Sequence, residues 1–277
     1  MMQAANAAGI PVPRLAWFEE DTSVIGEPFY LMDRVAGRIP LDRPSFHAEG
    51  WIAELPIDAR RALTNNALAT LARLHRLPWR EGFEFLAKAH GPGEVGLDRY
   101  LGWIERWYAW VAREWLAKGY AFPVLEAGLR YARTHQPENP PVAVLWGDCR
   151  LGNIFFASNN LSIAALLDWE MAALGPPELD LAWWLMMERF WSEGVGVKPL
   201  AGFPDAAESR ALFETHLGRR AENLAYYDIL AWLRFSIISL RQVARRIAVG
   251  VLPPGADPTA ENAINRSLRE ALERAGA

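Results

Sequence analysis

The fold is decided by residues 146–153, WGDCRLGN, and by Asp168, which follows fifteen positions after the last of them. The stretch presents a carboxylate at Asp148, a guanidinium two positions on at Arg150 and a carboxamide five positions on at Asn153. Transfer of a phosphoryl group requires a group that orients the attacking hydroxyl, oxygen ligands for Mg²⁺, and positive charge near the phosphate oxygens. These side chains supply all three.

Short apolar runs flank this stretch. The run 142–145 predicts a buried strand before it, and the runs 154–156 and 163–167 predict a hairpin that ends at Asp168. Asp and Asn also favour turns, so each residue taken alone is explained as a turn or strand-end residue. Their joint spacing, Asp-x-Arg-x-x-Asn followed by a hairpin and a second Asp, instead matches the catalytic loop of protein kinases.

The remaining sequence predicts a strand-bearing front end and a mostly helical body. The runs 15–18 and 29–35 are β-like and are joined by a turn-rich segment, which predicts an antiparallel pair. Apolar residues at helical spacing predict helices at 58–77, 101–116, 179–190, 206–217, 226–249 and 260–275. Strands at one end and helices over the rest indicate an α+β fold.

Composition narrows the class of protein. The net charge of −4, from 29 basic and 33 acidic residues, lacks the basic surface of a nucleic-acid binder. The one arginine cluster, 241–246, is interpreted as a solvated helix face. No apolar run reaches the roughly 18 residues of a membrane span, and the single cysteine, Cys149, excludes an internal disulfide. We therefore expect a cytoplasmic protein that binds neither nucleic acid nor membrane.

Two blocks, LWGDCRLGNIFF at 145–156 and ALLDWEMAALGPPELDLAW at 165–183, resemble the aminoglycoside phosphotransferase family, in particular bacterial members related to the kinase-like region of some acyl-CoA dehydrogenases. Upstream, GIPVPR at 9–14 and EPFYLMDRVAG at 27–37 fit the strand pair and hinge of that family. The resemblance implies a protein-kinase-like α+β fold with a truncated N-terminal strand lobe and a mostly helical C-terminal lobe. Residues 1–36 would be the remnant of the nucleotide-binding lobe with the hinge, and residues 37–277 the catalytic and substrate lobe.

The resemblance also implies roles for the residues of these blocks. Asp148 would accept or orient the proton of a substrate hydroxyl, and Asn153 with Asp168 would bind Mg²⁺. Arg150 stands where related kinases often place a lysine that faces the transferred phosphate, although a salt bridge on the loop explains it equally well. Asp180 is expected to be buried and to support the catalytic loop.

On the nucleotide side, the hinge would be formed by Met32, Asp33, Arg34 and Val35. Its backbone groups would form hydrogen bonds with the base of ATP or of another nucleoside triphosphate. Glu170 is open to two interpretations, a contact with substrate or metal and a plain surface position. The aromatic residues near the expected acceptor site are explained mainly by core packing, and any that line the site would make the acceptor largely apolar: Trp183, Trp184, Phe190, Trp191 and Trp232. Acidic residues there are too dispersed to indicate a polycationic aminoglycoside.

The sequence departs from the family in two places. Trp146 replaces the His of the family's His-Gly-Asp motif. Kinase-like enzymes also hold the phosphates with a glycine-containing loop and a lysine on a strand, yet the three lysines here, Lys88, Lys118 and Lys198, all follow the hinge. We therefore expect the first three strands of the lobe to be missing, which leaves three explanations: a misassigned start, a partner such as a second copy of the chain covering the exposed sheet edge, or impaired catalysis.

These features predict an ATP- and Mg²⁺-dependent phosphotransferase that acts on a hydroxyl of a small molecule. The alternative is a non-catalytic, pseudokinase-like module that binds a ligand or a partner with the same fold. The retained Asp148, Asn153 and Asp168 favour the enzyme, whereas the missing lysine and glycine-rich loop favour the module.

Overall fold

The computed structural model describes residues 1–277. Its N-terminal segment contains the short helix α1 (Met2–Ala7) and two strands, β1 (Leu15–Glu19) and β2 (Phe29–Met32). The strands pair antiparallel, with Leu15 opposite Met32 and Glu19 opposite Phe29, which confirms the predicted pair. The second strand ends three residues earlier than predicted, because residues 33–35 leave the ladder.

This two-stranded sheet is thinly covered. Trp17, Phe18, Tyr30 and Leu31 are all exposed on it. A pair of strands is marginally stable unless it packs against another element. The uncovered apolar side chains on this sheet therefore favour a contact with a further segment or a partner surface. A homodimer that covers the edge of this sheet stays a prediction.

The body is built from helices, and all six predicted helices are present, one of them, 206–217, with the predicted ends and the other five with shifted ends. A four-residue helix and the helix that begins at Pro123 were not predicted. The body helices are α2 (Ile57–His75), α3 (Leu86–Ala89), α4 (Leu97–Ala117), α5 (Pro123–Thr134), α6 (Pro177–Trp191), α7 (Ala206–Leu217), α8 (Leu224–Ala248) and α9 (Ala263–Arg274). None of them combines the length and the apolar character that a bilayer crossing needs.

Two further strand pairs lie between α5 and α6 in the chain and carry the segments of chemical interest. Strand β3 (Ala143–Leu145) pairs antiparallel with β6 (Ala173–Gly175), and β4 (Ile154–Phe156) pairs antiparallel with β5 (Ile163–Leu166). The second pair is the predicted hairpin, and β6 was not predicted. Because each pair fixes the ends of its strands, residues 146–153 and 167–172 are held as neighbouring connections.

The buried apolar residues form a single cluster of 56, which includes Ala5 and Ile10 from the N-terminal segment. Backbone hydrogen bonds join that segment to the hairpin: the amide of Leu166 donates to the carbonyl of Pro11 at 2.8 Å, and Arg38 forms an isolated bridge with Phe156. The strand-bearing front end is thereby tied to the helical body beside the predicted catalytic loop.

Candidate active site

The loop 146–153 is held from below by Asp180, which is fully buried near the start of α6. The backbone amides of Trp146 and Gly147 donate to its two carboxylate oxygens at 2.8 and 3.0 Å. The Nε2 atom of His75 lies 3.0 Å from the same carboxylate. The predicted burial and supporting role of Asp180 are therefore confirmed by these contacts.

Replacing Asp180 should lower the stability of the protein. We expect Asp180→Ala to reduce the free energy of unfolding by roughly 1–3 kcal/mol, because two buried amides and a buried imidazole lose their acceptor. Asp180→Asn keeps one acceptor oxygen and should cost less. Chemical denaturation measures both, with Glu114→Ala, an exposed carboxylate of α4, as the control. An Asp180→Ala protein that unfolds like wild type but binds no nucleotide would place Asp180 in the site itself.

Asp148 is fixed in orientation by three donors. Trp183 Nε1 donates to Oδ1 at 2.9 Å, and Asn153 Nδ2 donates to Oδ2 at 2.7 Å. Arg150 Nε donates to the same Oδ2 at 3.2 Å. The side chain remains 16% exposed, so the carboxylate faces solvent while its rotamer is locked. A fixed, accessible carboxylate of this kind can accept the proton of a bound hydroxyl.

Asn153 and Asp168 are brought together by the β4–β5 hairpin. The amide of Leu167 donates to the carbonyl of Asn153 at 2.9 Å, which places the next residue, Asp168, beside it. Because Asn153 Nδ2 bonds the side-chain and backbone oxygens of Asp148, the amide orientation is defined and its Oδ1 is left free. No group of three or more His, Cys, Asp or Glu side chains is placed to hold a metal ion.

The carboxylate of Asp168 has no cationic partner and lies near the negative charge of Asp148. It forms no ion pair within the chain, and the backbone of Asp168 has a φ of 58°, a left-handed conformation that Asp and Asn tolerate. Desolvation raises the pKa of its carboxyl, and the negative charge of Asp148 raises it further. A cation between the two carboxylates would remove this repulsion.

Two roles were open for Arg150, a contact with the transferred phosphate and a salt bridge on the loop. The structure shows the salt bridge. Arg150 Nη1 lies 2.6 Å from Asp42 Oδ2, in addition to its bond with Asp148. The pair crosses directly over Gly152, where an added Cβ would meet both side chains at less than contact distance. A role of Arg150 toward the transferred phosphate stays a prediction.

Trp146, which stands in place of the family's His, keeps a polar contact. Its Nε1 donates to the carbonyl of Leu167 at 2.7 Å, one residue before Asp168. The following residue, Gly147, has a φ of 90°, and a Cβ there would lie 2.2 Å from the carbonyl oxygen of Met171. The indole therefore links the loop to the segment that carries Asp168, and the glycine allows that close approach.

Arg234 of α8 is a site residue that the sequence interpretation missed. It is buried, its guanidinium carbon lies 3.5 Å from the ring centroid of Trp183, and its Nη2 donates to the carbonyl of Gly147. It also donates to the hydroxyl of Tyr100 at 2.9 Å. A signal was available, because Arg234 occupies an apolar position of the helical pattern, where a charge needs partners.

Two cavities lie side by side next to the catalytic segments. The inner cavity, of about 700 Å³, is lined by Asp148 and Trp183 among others, and the front cavity, of about 640 Å³, is lined by Asp168 and Met32 among others. Glu170, an exposed residue, lines both. The predicted general base and the predicted metal ligand thus face two separate spaces that share one wall.

The four predicted hinge residues line one cavity of about 620 Å³, beside the front cavity. Met32 lines the front cavity as well. The amide of Asp33 already donates to the carbonyl of Arg14 at 2.9 Å. Hydrogen bonding of the hinge backbone to the base of a nucleotide stays a prediction. Most of the aromatic residues noted in the sequence are core residues, although Trp183 and Trp191 also line the inner cavity.

Curated proteins of known name are similar to this chain in sequence. Acyl-CoA dehydrogenase family member 11 from Gallus gallus is 30% identical over 201 residues, which are 71% of this chain and 23% of that protein. The chain spans less than a quarter of the length of the curated relatives it matches.

Two solved structures show the fold. A Ralstonia eutropha protein described as a candidate aminoglycoside phosphotransferase has a TM-score of 0.75 at 23% identity, covering 98% of this chain and 81% of its own. An aminoglycoside phosphotransferase in complex with GDP and kanamycin has a TM-score of 0.58 at 12% identity, covering 99% and 79%. The α+β architecture is therefore the kinase-like one, with a small N-terminal sheet and a mostly helical C-terminal lobe. Since the profile of the phosphotransferase enzyme family matches residues 1–222, the chain belongs to that family.

Proposed function

We propose that the chain transfers the terminal phosphoryl group of ATP, or of another nucleoside triphosphate, to a hydroxyl of a small molecule, with Mg²⁺. The observation that carries the proposal is that two cavities share Glu170 as a common lining residue, two positions after Asp168. One is lined by a fixed carboxylate, Asp148, and the other by an unpaired one, Asp168. A phosphotransferase needs this division, because acceptor and nucleotide must approach the same point from different sides.

Asp148 is the acceptor-side group in this proposal. The transfer forms a bond between the acceptor oxygen and the terminal phosphorus, breaks the bond to the bridging oxygen, and releases the nucleoside diphosphate. The proton of the acceptor hydroxyl passes to the Asp148 carboxylate. Because Trp183 and Asn153 hold that carboxylate, its orientation is set before the substrate arrives.

The residues present fit a magnesium ion. Asn153 Oδ1 and the Asp168 carboxylate are oxygen donors with no partner in the chain, and oxygen is the ligand that Mg²⁺ prefers. When bound, the ion would neutralise charge on the phosphate oxygens. Glu170 is close enough to line both cavities and is a further candidate contact.

A second candidate function is a nucleotide-binding module without catalysis, and one observation favours it. None of the three lysines lines the inner or the front cavity, so the positive charge that usually anchors the phosphates is not supplied by lysine. For this reason we expect slow turnover even if the proposed activity is correct. A cytoplasmic location is part of the proposal, and it rests on the presence of a single, buried cysteine.

The nucleotide half of the proposal is tested at the front cavity. Met32→Glu puts a negative charge into that cavity and should weaken binding of Mg-ATP by roughly tenfold or more, because like charges are brought together. Leu31→Glu is the matched control, since this neighbouring strand residue is similarly exposed but does not line the cavity. Isothermal titration calorimetry with and without a chelator measures the effect. Equal weakening by both variants, or no Mg-ATP binding at all, would contradict a nucleotide site here.

A further inference from the structure

The inner cavity carries information about the acceptor, and the inference drawn from it rests on the proposed function. Six of its nine hydrophobic lining residues are aromatic. Trp103 and Trp107 stack with ring centroids 5.3 Å apart, and Trp183 with Phe235 forms an edge-to-face pair at 5.9 Å. Nine of its fifteen lining residues are hydrophobic, so most of a bound molecule would contact apolar surface.

Charge in this cavity is separated by sign. The acidic lining residues are Asp148 and Glu170, both on the catalytic segments. Arg150 is already occupied by the carboxylates of Asp42 and Asp148. Two further arginines line the cavity from α8, Arg241 and Arg245.

These two arginines are available to a ligand. They are four residues apart, so they lie on the same face of the helix. Neither forms an ion pair or a side-chain hydrogen bond within the chain, and the guanidinium carbon of Arg241 lies 4.3 Å from the ring centroid of Trp110. Two neighbouring guanidinium groups without hydrogen-bond or ion-pair partners are suited to a carboxylate or phosphate, which they can bind through several hydrogen bonds at once.

The helix also sets a distance. Arg234 contacts Gly147 and Trp183 at the catalytic end, and Arg241 follows it by seven residues and Arg245 by eleven. At a rise of about 1.5 Å per residue, the two cavity arginines stand roughly 10 and 16 Å further along the helix axis. The aromatic residues of the inner cavity therefore lie between the position of the reacting hydroxyl at Asp148 and the two arginines.

We propose that the acceptor is an amphipathic alcohol that carries an anionic group, a carboxylate or a phosphate, about 10 Å or more from the hydroxyl that is phosphorylated. The hydroxyl lies at Asp148, the apolar body lies against the tryptophans, and the anion binds Arg241 and Arg245. A polycationic acceptor is disfavoured, because its charges would face two unpaired guanidinium groups.

The test measures binding without nucleotide, by calorimetry or tryptophan fluorescence. The probes share one chain length and differ in one end group: ω-hydroxydecanoate, ω-hydroxydecyl phosphate, decanediol and ω-aminodecanol. Wild type should bind at least one anionic probe about tenfold or more tightly than the diol, and the amine should bind most weakly. The stronger of the two anionic probes then identifies the preferred anion.

Variants assign the effect to the two arginines. The double variant Arg241→Gln/Arg245→Gln should lose about 10–100-fold in affinity for the anionic probe and keep its affinity for the diol. Arg246→Gln is the control, because Arg246 is an exposed neighbour on the same helix that does not line the cavity. Equal binding of anionic, neutral and cationic probes by wild type, or an unchanged preference in the double variant, overturns the proposal.

Failure of this inference is distinguishable from failure of the proposed function. If a neutral or cationic alcohol is phosphorylated and the arginine variants behave like wild type, the chain is a phosphotransferase and the substrate class is wrong. If the anionic probes bind through the arginines but no phosphoryl group is transferred, the cavity is a binding site for such molecules and the catalytic proposal fails.

Discussion

Asp148→Asn is expected to lower the rate of phosphoryl transfer about 10²–10⁴-fold, the range associated with the loss of a general base. The carboxylate is the one group that combines accessibility from the inner cavity with a fixed orientation. Asparagine retains the size of the side chain but has one acceptor oxygen, whereas the three donors around Asp148 bond two carboxylate oxygens in the wild-type protein. Binding of Mg-ATP should change much less than the rate, because the front cavity does not include Asp148.

A matched variant separates chemistry from positioning. Trp183→Phe removes the indole donor at 2.9 Å and leaves the carboxylate charge in place, so its rate should fall by less than that of Asp148→Asn. Steady-state kinetics on both proteins, with melting temperatures as a check on folding, gives the comparison. A rate in Asp148→Asn equal to that of wild type would remove Asp148 from the proposed mechanism.

Asp168→Asn is expected to abolish the metal-dependent part of nucleotide binding. The substitution removes the charge but keeps a residue that tolerates the left-handed backbone, with its φ of 58°, whereas alanine would add strain. In wild type, Mg-ATP at about one hundred times its dissociation constant should stabilise the fold by about 2.7 kcal/mol. That gain corresponds to a rise of roughly 5–10 °C in melting temperature.

The measurement is a thermal-shift titration with Mg-ATP, compared with ATP in the presence of a chelator. Asp168→Asn should show the same small shift in both conditions, while wild type should show a larger shift with the metal. Asp58→Asn, an exposed carboxylate at the start of α2, controls for the loss of one negative charge. A metal-dependent shift in Asp168→Asn as large as in wild type would exclude Asp168 as the main ligand.

Local patterns in the sequence predicted much of this site. The hairpin that places Asp168 beside Asn153 follows from two apolar runs and a turn, and these are signals within about fifteen residues. The burial of Asp180, in the first turn of α6, was implied by the resemblance to the family and not by a local pattern. The α+β class was equally visible, because long helices with regular apolar spacing are the most readable elements of a sequence.

The missed features depend on contacts between distant parts of the chain. Strand β6 has three residues and ends in Gly175, and it exists because β3 offers it a partner. The ion pair between Arg150 and Asp42 joins residues 108 positions apart. The arginine cluster on α8 is solvated as expected. Its position at the inner cavity, with Arg241 over the ring of Trp110, depends on the packing of α8 and could not be predicted from local patterns.

The central claim is that the two cavities serve one transfer reaction. The most direct test incubates the wild-type chain with Mg²⁺, γ-labelled ATP and a panel of neutral, anionic and cationic alcohols, and then identifies the products by mass spectrometry. The account predicts a phosphorylated alcohol and ADP in equal amounts, formed slowly and only when alcohol, metal and nucleotide are all present. ADP formed at the same rate without an alcohol, or no turnover with any alcohol despite measurable Mg-ATP binding, would contradict it and favour the non-catalytic module.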